Sequence, residues 1–174
     1  MMKTLQESVA LLIAKNDYPE KICKILQLII DDKLRLPDLE AVLSEINVSR
    51  ITDLKDRLIC VLLDYANFCL EDDILTQVEM RDFTTLRRFF RIDEGDFYKC
   101  HKEQEVRNIL TLQFEKMQSD HTIDSNEALM KNDLQQMFGL SYDQFLEIEN
   151  IVSKKSLKNG ANISDLDTFI KGKK

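Results

Sequence analysis

Two acidic turns are where the residue types and spacing of this chain come nearest to chemistry. The first holds Glu71, Asp72 and Asp73 and is followed by Glu79; the second holds Asp120 and Asp124 and is followed by Glu127. Asp72, Asp73 and Glu79, or Asp120, Asp124 and Glu127, can converge as oxygen ligands on a divalent cation. Neither turn has the order of an EF-hand: the sixth position lacks glycine, and the twelfth is Phe83 or Lys131 instead of glutamate. The same spacing has a second use. Thr76 with Glu79 and Asp124 with Glu127 stand three residues apart, as in a capping box, where the first side chain accepts from a free amide of the helix start and the glutamate reaches back. Capping accounts for the spacing with no added ligand and is the preferred reading. No cofactor is required, and a divalent cation is the alternative.

Other reactive residues are sparse. Of the two histidines, only His121 stands beside carboxylates, Asp120 and Asp124, and no second histidine or cysteine lies at ligand spacing. Cys100 adjoins His101, but neighbours on one helix point about 100° apart, so the pair does not read as nucleophile and base. Cys23, Cys60, Cys69 and Cys100 lack the short paired spacing of zinc or redox sites and read as buried thiols in a reducing compartment. Closely spaced glycines for a phosphate loop are absent, as are hydrolase and zinc-protease motifs. The chain reads as a non-enzyme. Its densest basic stretch is Arg81, Arg87, Arg88 and Arg91, with Phe89 among them and Phe83, Phe90, Phe97 and Tyr98 nearby. Arg87, Arg88, Arg91 and Phe89 form the candidate surface for a protein partner, because arginine and aromatic side chains are favoured interface anchors.

The elements that position these residues are helical. Apolar residues recur at helical spacing throughout, predicting helices at Leu5 to Ala14, Pro19 to Ile30, Pro37 to Ile46, Ile51 to Leu70, Gln77 to Phe90, Glu94 to Met117, Ser125 to Phe138, Tyr142 to Lys154 and Asp165 to Ile170. Asp17 with Glu20 and Ser141 with Gln144 add two further capping-box spacings. The 174 residues fit one domain, 1–174, with 44% hydrophobic and 32% charged residues, an ordinary globular composition. A net charge of −7 disfavours nucleic acid as a partner, and no stretch reaches the roughly 20 apolar residues of a membrane span. The N-terminal residues read as a helix instead of an export signal, and the expected location is cytoplasmic.

An internal repeat ties these elements together. A shift of 48 residues lays Leu62, Asp72, Glu79, Leu86, Phe90 and Phe97 onto Leu110, Asp120, Glu127, Leu134, Phe138 and Phe145. Chance alone gives about two such identities at ordinary residue frequencies. Ala66 with Phe114, Cys69 with Met117, Leu75 with Ile123 and Ile92 with Leu140 keep the apolar face, and Thr76 and Asp124 are equivalent caps. The copies run 62–100 and 110–148, each a helix, an acidic turn with one inward apolar residue, a second helix and an aromatic-x-aliphatic triplet, Phe90-Arg91-Ile92 or Phe138-Gly139-Leu140. Because a lone hairpin cannot bury its apolar face, the expectation is a compact all-α stack of about eight to nine helices.

At these residues, over about Ile59 to Val152, the chain resembles the tellurite-resistance TerB-like family. The resemblance rests on Glu71-Asp72-Asp73-Ile74-Leu75-Thr76 with Glu79, on Asp120-His121-Thr122-Ile123-Asp124 with Glu127, and on Phe138-Gly139-Leu140-Ser141. It implies an all-helical module of duplicated units, found in stress-response and defence-associated proteins, often joined to other domains or partners, with divalent-metal binding in some members. The glycine that commonly follows the turn aspartate is replaced here by Asp73 and His121. The leading expectation is a noncatalytic interaction module, subunit or adaptor; the alternative is a metal-binding regulatory module using the acidic turns.

Overall fold

The computed structural model describes residues 3–117 and 125–158, the side chains of 125–127 and 156–158 excepted. Every regular element among them is helical. In chain order these are α1 (Leu5–Lys15), α2 (Glu20–Ile30), α3 (Leu36–Glu45), a 3₁₀ turn (Ile51–Leu54) leading into α4 (Lys55–Cys69), α5 (Gln77–Phe89), α6 (Asp96–Lys99), α7 (Glu103–Met117), α8 (Ser125–Phe138) and α9 (Tyr142–Lys158). Chain contacts divide them into two units, 1–106 and 107–174. The expected helix at Asp165 to Ile170 lies outside the described residues.

In the first unit α1 packs on α2 and α4, α2 on α3, and α4 on α5. The apolar periodicity dictates these contacts: Leu5, Val9 and Leu12 of α1, Ile22, Ile25, Leu26 and Ile29 of α2, and Leu58, Leu62, Tyr65 and Ala66 of α4 are all buried. In the second unit Leu110 and Phe114, Leu134, Met137 and Phe138, and Phe145, Ile148 and Val152 are buried, and the rings of Phe114 and Phe145 meet edge to face at 5.1 Å. Lys131 of α8 ties to Glu149 of α9, and Arg107 and Glu115 of α7 pair with Glu147 and Lys155 of α9.

Five helix ends share one device. Asp32, Asn47, Arg91, His101 and Gly139 take left-handed φ angles between 54° and 61°. Each donates its N–H three residues back, and the residue after each donates five residues back, as in Lys33 to Leu28, Val48 to Leu43, Ile92 to Arg87, Lys102 to Phe97 and Leu140 to Gln135. This Schellman arrangement satisfies carbonyls that the end of a helix leaves free. It also corrects an expectation. The helix expected from Glu94 to Met117 is broken at His101, so α6 ends and α7 begins anew; Cys100 and His101 lie in that break and not on one helix.

Three other expectations change. The start of the helix expected from Ile51 is a 3₁₀ turn, tied by the Arg50 N–H to the Asp53 carboxylate at 3.1 Å. No side chain caps α2, whose N-cap is Pro19, so Asp17 and Glu20 do not form a box. Of the four cysteines only Cys69 is buried, the others being half-buried, because Cys23, Cys60 and Cys100 lie at the margins of the core.

Several positions 48 residues apart have similar local surroundings. Helices α4 and α7 start at 55 and 103. Arg91 and Gly139, the two left-handed residues ending α5 and α8, are 48 apart as well. So are two helix starts: the Asp93 N–H donates to the Asp96 carboxylate at 2.8 Å and the Ser141 N–H to Gln144 Oε1 at 2.9 Å. Leu62 and Leu110, Leu86 and Leu134, Phe90 and Phe138, Ile92 and Leu140, and Phe97 and Phe145 are buried in pairs.

Candidate interaction surface

The first acidic turn is occupied by its own backbone. Thr76 and Glu79 form a complete capping box: the Thr76 N–H and hydroxyl donate to Glu79 Oε2 at 2.9 and 2.7 Å, and the Glu79 N–H donates to Thr76 Oγ1 at 3.3 Å. The Asp72 carboxylate accepts from the Ile74 N–H at 3.2 Å, and Asp73 holds a left-handed φ of 62°. Leu75 turns inward and is buried, leaving Ile74 exposed. Among the described residues no group of three or more His, Cys, Asp or Glu side chains is placed to hold a metal ion. The second turn, with Asp120, His121, Asp124 and the Glu127 side chain, lies outside the described residues. Ser141 and Gln144 complete a second box, with the Gln144 N–H donating to Ser141 Oγ at 3.3 Å.

The basic stretch resolves into distinct roles along α5. Phe83, Leu86 and Phe90 are buried and fix the helix to the core. Arg87 is mostly buried, at 19% exposure, and its guanidinium is 3.8 Å from Glu94. Arg81, Arg88 and Arg91 are exposed. Arg81 and Arg88 are seven residues apart on one face of α5, and Arg91 follows the helix end. Phe89 is half-buried, its ring tilted at 5.9 Å from that of Phe90. Of the candidate partner residues, then, Arg88, Arg91 and part of the Phe89 ring face outward, and Arg87 is committed to Glu94.

Two polar sites escaped sequence reasoning. Asp96 is only 3% exposed, accepts from Lys55 Nζ at 2.5 Å and from the Asp93 N–H, and has Lys99 Nζ 3.7 Å away. Burial pushes its carboxyl up, but the Lys55 hydrogen bond, the Asp93 amide and the charges of Lys55 and Lys99 outweigh this and hold it below its ordinary value. Tyr18, between α1 and α2, donates its hydroxyl to Asp64 of α4 at 2.7 Å; burial and the Asp64 carboxylate raise its phenol far above the ordinary range. Spacings of 41 and 46 residues between the partners leave no local signal.

The thiols divide by environment. Burial pushes the Cys69 thiol up to about 12, so it stays protonated at neutral pH. Burial also raises Cys100, together with a hydrogen bond to the Asp56 carboxylate, the group it meets in place of His101.

No protein-family model matches the chain, and neither does any curated protein or solved structure. Among the described residues no helix is long and apolar enough to cross a membrane.

Proposed function

We propose that the protein is a noncatalytic interaction module, a subunit or adaptor of TerB-like architecture, that binds another protein through the end of α5. The observation that carries this reading is the outward-facing group Arg88, Arg91 and Phe89. Two arginines stand exposed with no described carboxylate paired to them, beside a half-buried aromatic ring, on a helix anchored by Phe83, Leu86 and Phe90. Unpaired guanidinium groups offer forked donors to carboxylates, and the ring supplies apolar area that needs little ordering because the core already holds one face of it. On a chain of net charge −7 such a patch is a local reversal of sign, which favours an acidic partner surface.

The TerB-like architecture is supported by the acidic turns and by the shared 48-residue register of helix bounds, helix ends and buried positions. A place in stress response or defence follows from that resemblance, and a cytoplasmic location from the N-terminal residues and the cysteine spacing; both belong to the same proposal.

The test is site-specific photocrosslinking in cells of the source organism, with benzoylphenylalanine in place of Phe89 and, as control, in place of exposed Glu40. A discrete adduct from position 89 that is missing from position 40 supports the surface. Equal adduct patterns from both positions exclude it.

A further inference from the structure

Helix α9 changes sign along its length. Its first half carries Asp143, Glu147 and Glu149, and its second Lys154, Lys155 and Lys158. Two of these charges are tied to α7: Glu147 meets Arg107 at 3.4 Å, and Lys155 meets Glu115 at 2.7 Å. Both pairs join residues 40 apart, so α7 and α9 run in the same direction. Around the four corners the signs alternate, with a base on α7 and an acid on α9 at one end and the reverse at the other.

The outer edge of this arrangement lies on α9. Glu147 and Lys155 are the more exposed members of their pairs, at 62% and 64%. Midway between them, four residues from either, stands Ile151, and on α7 Leu112 lies in the stretch between Arg107 and Glu115; each of these aliphatic side chains is 49% exposed. Glu147, Ile151 and Lys155 form one i±4 ridge, the kind that interdigitates in the commonest crossing of two helices.

We infer that a second copy of this chain docks on this face, with the two α9 helices antiparallel about a two-fold axis at Ile151. Glu147 and Lys155 each lie four residues, roughly 6 Å, from that axis, so Glu147 of either copy comes opposite Lys155 of the other. An axis running across both helices also sets Arg107 opposite Glu115 of the other copy. Every corner charge thus meets its opposite while Ile151 packs on Ile151, which is the self-complementarity that a two-fold contact demands. Any other partner would have to present the same alternation; a second copy presents it by symmetry. The open apolar area is small, so the association is weak and reversible, with a dissociation constant on the order of 100 μM. The inference rests on the α7–α9 face and not on the α5 surface, so the two proposals fail separately.

The experiment is sedimentation equilibrium of the full chain from about 20 μM to about 1 mM, with circular dichroism confirming that each variant is folded. The wild type is expected to pass from monomer toward dimer over this range. Glu147→Lys and Lys155→Glu should each weaken self-association roughly tenfold or more, since one substitution sets like charges against each other at both symmetric contacts. An equimolar mixture of these two variants should associate as the wild type does, because each presents the charge that the other lacks. Ile151→Asp should stay monomeric, whereas Arg88→Glu/Arg91→Glu should associate as the wild type does. A wild type that is monomeric throughout, single charge variants that self-associate like it, or a mixture no tighter than its components would each overturn the inference.

Discussion

At the scale of single residues, Asp96 stands out as a carboxylate that is both buried and paired with a lysine. It joins α6 to α4 through Lys55, and its amide contact with Asp93 fixes the start of α6. Its carboxyl is held below the ordinary value near 3.8. A group with a depressed folded value contributes stability fully above its unfolded value and loses it as pH falls through the folded one. Asp96→Asn is therefore expected to cost about 1–3 kcal/mol at neutral pH, the lower end reflecting the access of Lys55 to water. Urea unfolding at several pH values checks this. The gap between wild type and variant should hold from about pH 7 to 5 and close below about pH 4. A gap unchanged at low pH would show that packing, and not the charge, is what the substitution removes.

Much of the residue scale was legible in sequence where the signal is local. Thr76 with Glu79 and Ser141 with Gln144 sit three apart and do cap helices, because a capping box needs nothing beyond its own turn. Asp17 with Glu20 has the same spacing and fails, since Pro19 takes the N-cap position of α2. The Asp96–Lys55 and Tyr18–Asp64 contacts were not legible, being made only when separate helices pack. On α5, helical periodicity had no means to separate Arg87, drawn to Glu94 beyond the helix end, from Arg88 and Arg91, which have no carboxylate partner among the described residues.

At the scale of elements, helix ends decide the architecture. Glycine is the usual sequence signal for a left-handed cap, and among these five ends only Gly139 carries it. Asp32, Asn47 and His101 are residue types that visit that region more readily than most, while Arg91 occupies it against its intrinsic preference. That is why the break between α6 and α7 is invisible in the sequence: His101 supplies the turn with no glycine to announce it. Gly139→Ala should destabilise the chain by about 1 kcal/mol, and Asn47→Gly should be neutral or slightly stabilising, as read by thermal or urea unfolding. Equal losses from both substitutions would contradict this account of the caps.

At the scale of the whole molecule, the proposed repeat compares α4–α5 with α7–α8. Few residues are shared between α4–α5 and α7–α8; the left-handed residues Arg91 and Gly139 and five pairs of buried positions lie 48 apart, while buried Ile59, Leu63 and Phe83 stand opposite half-buried Arg107, Thr111 and Lys131. Divergence is marked on the outer face: Arg88 of α5 corresponds to Gln136 of α8, and Arg91 to Gly139. The basic, aromatic-flanked end of α5 therefore has no counterpart at the end of α8.

The most direct test of that surface is quantitative affinity capture from the source cells, comparing the wild-type chain with Arg88→Glu/Arg91→Glu, with circular dichroism and unfolding confirming that both are equally folded. The account predicts a defined partner recovered by the wild type and depleted at least about tenfold by the double charge reversal, consistent with losing two charge-assisted contacts and gaining repulsion. Recovery of the same partners in the same amounts by both proteins would contradict it.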